Sequence, residues 1–230
     1  MRLIDLSREI FHRSPSYPSH PPTVVGTWVT HEERREMSGG ASGSTSMYFS
    51  MSDHGTTHLD APRHFDESPG AFGIDEFPLE KCYVMGICLD FRHIPPKAEI
   101  GVSEMEAAAQ EAGVPVPRGG TVLLCTGHHA RTYPGPAYYT DNPGVNRAAT
   151  EWLARAGAVT FGIDSMRPGP EGSVNSDVHR ACAELSITHM ESLCNLEELI
   201  GKGLFRFIGF PLKIRNGSGG PIRAVAVLDE

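Results

Sequence analysis

Three histidines and an aspartate fall within eleven residues, in the run His54-Gly-Thr-Thr-His58-Leu-Asp60-Ala-Pro-Arg-His64-Phe65. Imidazole and carboxylate are natural donors for Zn²⁺ and Mn²⁺. The spacing constrains the geometry. His58 and Asp60 are two apart, so an extended chain puts them on one face. His54 joins that side if the chain turns at Gly55. Pro62 prevents a helix through the whole run, which therefore reads as a turn and a strand aiming several imidazoles at one point. A divalent ion held there lowers the pKa of a bound water towards ~7 and polarises a carbonyl. His64 then stands as a spare imidazole able to carry a proton.

A second group lies downstream: Asp177-Val-His179, then Ile187-Thr-His189-Met-Glu191-Ser-Leu-Cys-Asn195. Spacing alone leaves its role open. His179 reads equally as a surface residue of a short helix, and Glu191 as an acid favoured by a helix N-terminus. Tyr17, Trp28, Tyr48, Phe65 and Phe72 are candidates for an apolar pocket wall, or for ordinary packing. No Gly-x-Ser-x-Gly elbow is present, and no glycine-rich phosphate loop follows a strand.

The elements that must position these residues are mixed. Strands are expected over 2–6, 82–91, 121–126 and 158–163, and a β-prone run, 46–51, leads into the histidine cluster. Ser103 to Glu106 reads as a capping box opening a helix that stops at Gly113. Further helices are expected over 147–156, ended by Gly157, over 176–185 and over 195–200. Prolines 15, 18, 21 and 22 break any regular element near the N-terminus. Residues 36–46, rich in Gly and Ser, read as a mobile loop or lid, and 128–144 as a long loop. The tail, 205–215 and 222–228, reads as a hairpin. Strands and helices without strict βαβ alternation indicate an α+β or mixed α/β fold.

The chain has 230 residues, consistent with one domain over 1–230. A formal net charge of −8 disfavours nucleic acid as a partner. No run approaches the ~20 apolar residues of a membrane span, and the first residues carry no apolar signal core. The five cysteines show no CxxC pair and read as buried thiols of a reducing compartment. The expectation is a cytoplasmic protein acting on a small molecule.

The run from His54 to Phe65 resembles the signature of the cyclase-like metal-dependent hydrolases, a family that includes bacterial kynurenine formamidase and isatin hydrolase. Thr126-Gly127, Gly162-Ile-Asp164, His179, Glu191 and Asn195-Leu196 follow that family's downstream pattern in order. The resemblance implies a swivelling β/β/α domain with a central mixed sheet and flanking helices, assembled as a homodimer or homotetramer. It implies His54, His58 and Asp60 as ligands of a principal ion, Mn or Zn. Where a second ion binds, Asp60 bridges and His179 and Glu191 hold it. His64 is implied as the catalytic base or acid, and the reaction as hydrolysis of an amide, N-formyl or cyclic, on an aromatic substrate. The chain departs from the pattern at Ser165-Met-Arg-Pro-Gly-Pro-Glu171 and at His128-His129, both regions expected to face substrate. Trp28, Phe65, His128 and His129 are the candidate substrate contacts. Two other readings stay open: a lactone or ester hydrolase using the same site, and a metal-binding protein without catalysis. A spare His64 counts against the latter, because a structural metal site is closed by its own ligands.

Overall fold

The computed structural model describes residues 1–229. In chain order the elements are β1 (Arg2–Asp5), β2 (Val24–Val29), α1 (His31–Met37), β3 (Ser46–Ser50), β4 (His58–Asp60), β5 (Tyr83–Asp90), β6 (Glu99–Ile100), α2 (Val102–Ala112) and β7 (Thr121–Cys125). There follow α3 (His128–Thr132), α4 (Ala137–Thr140), β8 (Gly144–Val145), α5 (Arg147–Ala156), β9 (Thr160–Ile163), α6 (Ser173–Leu185), β10 (Thr188–Glu191), β11 (Phe205–Ile208), β12 (Gly219–Pro221) and β13 (Val225–Leu228).

Nine strands form one mixed sheet in the order β1-β13-β11-β5-β7-β9-β10-β4-β12. Its centre, β5-β7-β9-β10, is parallel, and both flanks are antiparallel. Alternation along the strands feeds two cores. Ile87, Leu89, Val122, Leu124 and Ile163 face α2, α5 and α6 and pack on Met105, Leu153 and Val178. The opposite face carries Cys88, Leu123, Cys125, Phe205 and Phe207. Residues from both ends of the sheet, Ile4 and Leu228 at one and Leu59 and Ile222 at the other, join that second core, so the sheet curls over itself.

Most of the expected elements are present, and the differences have local causes. The helix expected from Ser103 begins at Val102, and its N-terminal acid is Glu104, whose carboxylate accepts from the Gly101 N–H at 3.0 Å. Gly113 and Gly157 end their helices in the left-handed conformation that glycine adopts without steric cost. Residues 128–144 hold α3, α4 and β8 rather than continuous loop. The 195–200 segment is one short 3₁₀ turn, Leu196–Leu199. The tail does pair β11 with β13, but the intervening β12 crosses to the far edge of the sheet and pairs with β4. Part of the expected lid is helical: α1 is capped by Thr30, whose hydroxyl accepts from the Glu33 N–H.

Asp164, just beyond β9, is buried. Its Oδ1 accepts from the Thr126 N–H and hydroxyl, while Oδ2 has no hydrogen-bond partner among the described residues. Burial pushes this carboxyl up to about 6, against the hydrogen bonds from Thr126. The folded state therefore holds a proton that the unfolded chain releases near pH 4, and the group's destabilisation grows from about pH 4 to full strength above pH 6. Asp164→Asn keeps the acceptor oxygen and removes the charge. Urea unfolding should show the variant more stable than the parent at pH 8, on the order of 2–3 kcal/mol, with the gap closing towards pH 4. A gap independent of pH would mean that the charge is not what costs stability.

Candidate metal centre

The site is organised by a short strand next to the edge of the sheet. β4 has only three residues, all buried, and is paired on both sides. Its register sets His58 opposite Glu191 on β10 and Asp60 opposite Gly219 on β12. His58 and Asp60 share a face, as do His189 and Glu191 two residues apart on β10. The Thr188 hydroxyl ties the neighbouring backbone, donating to the Asp60 carbonyl at 2.7 Å. The turn expected at Gly55 is present, with its N–H donating to the Ser52 carbonyl, and it carries His54 back over β4. His54, His58, Asp60, His64, His179 and Glu191 converge here.

His54, His58 and His179 each have one nitrogen committed elsewhere, and this determines which nitrogen can ligate. His58 Nδ1–H donates to the Thr56 carbonyl at 2.9 Å, leaving Nε2 buried with no hydrogen-bond partner among the described residues, 3.2 Å from Asp60 Oδ1. His179 Nδ1–H donates to the Asn175 carbonyl at 2.8 Å, and its Nε2 is 3.9 Å from Asp60 Oδ2. The Ser218 hydroxyl donates to Asp53 Oδ2 at 2.8 Å, so its oxygen accepts from His54 Nε2–H, also at 2.8 Å. His54 Nδ1 is thereby turned to Asp60 Oδ1 at 2.8 Å. Lone pairs facing a carboxylate oxygen at that distance call for a cation between them. Asp60 Oδ2 lacks a hydrogen bond among the described residues, with His64, His179 and His189 Nε2 at 3.8, 3.9 and 3.1 Å. The donors therefore fit a divalent ion.

Electrostatics point the same way. Burial works to raise the Asp60 pKa, yet the adjoining His189, His54 and His58 hold it well below the carboxylate range. Burial likewise opposes charge on His54 and His189, but Asp60 raises both imidazoles above the ordinary histidine value. Such a field attracts positive charge, whether proton or metal. His64 differs. Its side chain keeps 32% of its surface open, neither ring nitrogen is hydrogen-bonded among the described residues, and burial lowers its pKa to about 4.

The cluster opens into a cavity of about 490 Å³, lined by Tyr17, His20, Phe65, Met166 and Arg167 among others, as well as by His54, His58, His64, His179 and Glu191. That volume suits a small aromatic molecule. Of the expected substrate contacts, Phe65 is on the cavity wall. Trp28 is not: it is 75% exposed on β2, and neither it nor any of residues 36–46 lines the cavity. His128 is buried against Tyr138 and donates to the Tyr138 carbonyl, and His129 stacks on Tyr133, so neither reaches the cavity.

Sequence reading missed Asp53, Ser218 and Gly219, and named His189 in the second group without giving it a role. The first was within reach, being adjacent to His54. Ser218 and Gly219 arrive only through the β4–β12 pairing. A Cβ on Gly219 would stand 2.7 Å from His54 Cε1 and 2.9 Å from Nδ1. Glycine here leaves room for the ligand ring. Gly219→Ala should displace that ring and weaken divalent-metal binding by 10–100-fold with little change in the metal-free fold. Isothermal titration with Zn²⁺, alongside circular dichroism, checks this; unaltered affinity would show that His54 is not a ligand in this position.

Comparisons with known proteins identify the family and the fold. Residues 4–170 match the family described as "Putative cyclase". Kynurenine formamidase of Bordetella petrii is 30% identical over 176 residues, which cover 76% of this chain and 77% of that protein. The Bordetella avium kynurenine formamidase is 27% identical over 225 residues, 97% of each chain. Among solved structures, isatin hydrolase A from Labrenzia aggregata, bound to benzyl benzoate, superposes with a TM-score of 0.84 over 100% of this chain and 94% of its own, at 21% identity, a likeness of fold. Matched over most of its length and with the donor run intact, the chain belongs to the Cyclase family.

Proposed function

We propose that this protein is a metal-dependent hydrolase of a non-peptide C–N bond, cleaving an N-formyl or cyclic amide on a small aromatic substrate. The observation that carries the reading is the convergence of His54 Nδ1, His58 Nε2 and Asp60 Oδ1 beside an uncommitted His64 at the cavity. Support for the bond type comes from the curated relatives, named kynurenine formamidase.

His54, His58 and Asp60 hold the principal ion, Mn²⁺ or Zn²⁺, with His179 and Glu191 available to a second. When bound, the ion supplies an acidified water and polarises the carbonyl under attack. The remaining work falls to the chain. Phe65, Tyr17 and Met166 form the apolar wall against which an aromatic ring packs. His64 Nε2 takes the proton released as water attacks and returns it to the leaving nitrogen. Its low pKa keeps this nitrogen unprotonated and ready to accept at neutral pH. Glu191 Oε2 lies 3.5 Å from His58 Nε2, where the two sets of donors adjoin.

We further propose a homo-oligomer joined through the β2–α1–β3 arm. Trp28, Met37, Met47 and Phe49 are 75%, 75%, 65% and 57% exposed on that arm, more apolar surface than a solitary protein usually leaves uncovered. The five thiols are free and buried, which suits the cytoplasm.

Elemental analysis of protein purified without added metal should find Zn or Mn, lost in His58→Ala. His64→Ala should keep the metal and lose 10²–10⁴-fold in kcat on an N-formyl arylamine. Metal-loaded protein that turns over matched lactones but neither lactams nor formamides would replace the amide by an ester. Turnover of none of them would leave a metal-binding protein. For the arm, sedimentation should show the wild type larger than a monomer and Trp28→Glu/Phe49→Glu dissociated; a monomeric wild type would reject the interface.

A further inference from the structure

The wall of the cavity does not share the charge of the chain. The protein carries a formal net charge of −8. Its cavity is nevertheless lined by three arginines, Arg8, Arg167 and Arg180, against one carboxylate, Glu191. Arg180 is exposed and paired with Asp177 at 2.9 Å. Arg8 and Arg167 are buried, at 7% and 4% exposure. A guanidinium keeps its charge when buried, and that is costly unless an anion answers it.

The protein answers neither fully. Arg8 Nη2 donates to the Pro15 carbonyl at 3.1 Å, while Nε and Nη1 are buried with no hydrogen-bond partner among the described residues. Its guanidinium carbon lies 5.1 and 5.2 Å from the ring centroids of Tyr133 and Tyr138, which attract a cation without neutralising it. The backbone of Arg8 is fixed to the turn between His54 and His58. Its N–H donates to the Thr57 hydroxyl at 2.9 Å, and its carbonyl accepts from the Thr56 hydroxyl at 3.3 Å. Arg167 is held by neutral acceptors. Nε and Nη2 donate to Asn142 Oδ1 at 3.2 and 2.6 Å, and Nη2 also to the Tyr139 carbonyl at 2.7 Å. That leaves Nη1, 3.6 Å from the carboxylate of Glu171, an exposed side chain whose charge water screens. The same two segments hold both arginines. Arg8 meets Pro15 and Tyr138, and Arg167 meets Tyr17 and Tyr139.

We propose that Arg8 and Arg167 form an anion subsite, and that the substrate is an aromatic amide bearing a carboxylate apart from the bond that is cleaved. This rests on the hydrolase reading of the cavity. A guanidinium presents forked N–H donors that match a carboxylate, and a cleft walled by one sign of charge gathers ligands of the other. The two arginines set specificity and take no part in proton transfer, which falls to His64. Arg167 lies in the 165–171 stretch where the chain departs from the family pattern, so the subsite belongs to this chain's own pocket rather than to the fold.

Matched compounds test this on the metal-loaded enzyme: the three positional isomers of formamidobenzoate and the corresponding neutral formamidotoluenes. Wild type should favour the best benzoate over its toluene by about 10–100-fold in kcat/KM, chiefly through KM. Arg167→Gln and Arg8→Met should each bring that ratio towards one. Arg167→Lys keeps the charge but loses the fork, and should retain part of it. A ratio taken within each variant cancels any general loss of fold or activity. A wild type indifferent to the carboxylate in every isomer would overturn the proposal. A preference kept in both Arg167→Gln and Arg8→Met would overturn it too, since the carboxylate would then be read elsewhere. Turnover of none of the compounds fails the hydrolase reading, and calorimetric binding of the same compounds then decides the subsite alone. Tighter binding of benzoates, lost in the arginine variants, upholds it, and equal binding of the two series rejects it.

Discussion

A single buried carboxylate sets the terms for this structure. Asp60 is 1% exposed, on a three-residue strand inside a nine-stranded sheet. An isolated charge in such a place is prohibitively costly, so the surroundings must supply positive charge or hydrogen. They supply nitrogen from five histidines at 2.8–3.9 Å, drawn from the 54–58 turn and strand, the 62–64 turn, α6 and β10. Once Asp60 is fixed by pairing with Gly219 on one side and by the Thr188 hydroxyl on the other, the positions of the rest follow.

Holding that arrangement strains the backbone. Thr56 and Ser192 adopt left-handed φ values of 60° and 59°, and for β-branched Thr56 this is a real outlier. Each such residue costs on the order of 1–3 kcal/mol. Both are pinned: the Thr56 hydroxyl donates to the Arg8 carbonyl at 3.3 Å, and the Ser192 N–H donates to the Ser165 carbonyl at 2.7 Å. The strain turns the Thr56 carbonyl onto His58 Nδ1, so the distortion next to β4 is what orients a ligand.

How much of this was legible in the sequence depends on range. The His54–His64 run and its turn at Gly55 are local, and the structure brings its three histidines round Asp60. The parallel central strands announced themselves as apolar runs, and helix ends were marked by Gly113 and Gly157. What failed was whatever depends on the partner of an edge. β12 is a Gly-Gly-Pro segment with no strand propensity, and pairing with β4 alone makes it a strand. Ser218 and Gly219 therefore gave no hint that they support His54. His189 was named in the second group without a role, although its two-residue spacing from Glu191 puts both on one face of a strand. His128, His129 and Trp28 drew notice by residue type, but topology turned the first two towards tyrosines and left the third on an exposed arm.

The placement of the donors also separates rigid work from mobile work. His58, His189, Glu191 and Asp60 sit on paired strands, and His179 on a helix whose Val178, Ala181 and Cys182 are fully buried. Cys182, one turn on from His179, touches His189, so the packing of α6 onto the sheet and the spacing of the donors are one constraint. His64 alone comes from a short 3₁₀ turn, part exposed, without a hydrogen bond to either nitrogen among the described residues. Ligands must hold a geometry to within a few tenths of an ångström. A proton carrier must instead meet water on one side of the reaction and a leaving nitrogen on the other. In the proposed roles, the sheet, the helix core and the hydrogen-bonded turn at His54 provide the first, and the loosely held His64 ring at the cavity edge provides the second.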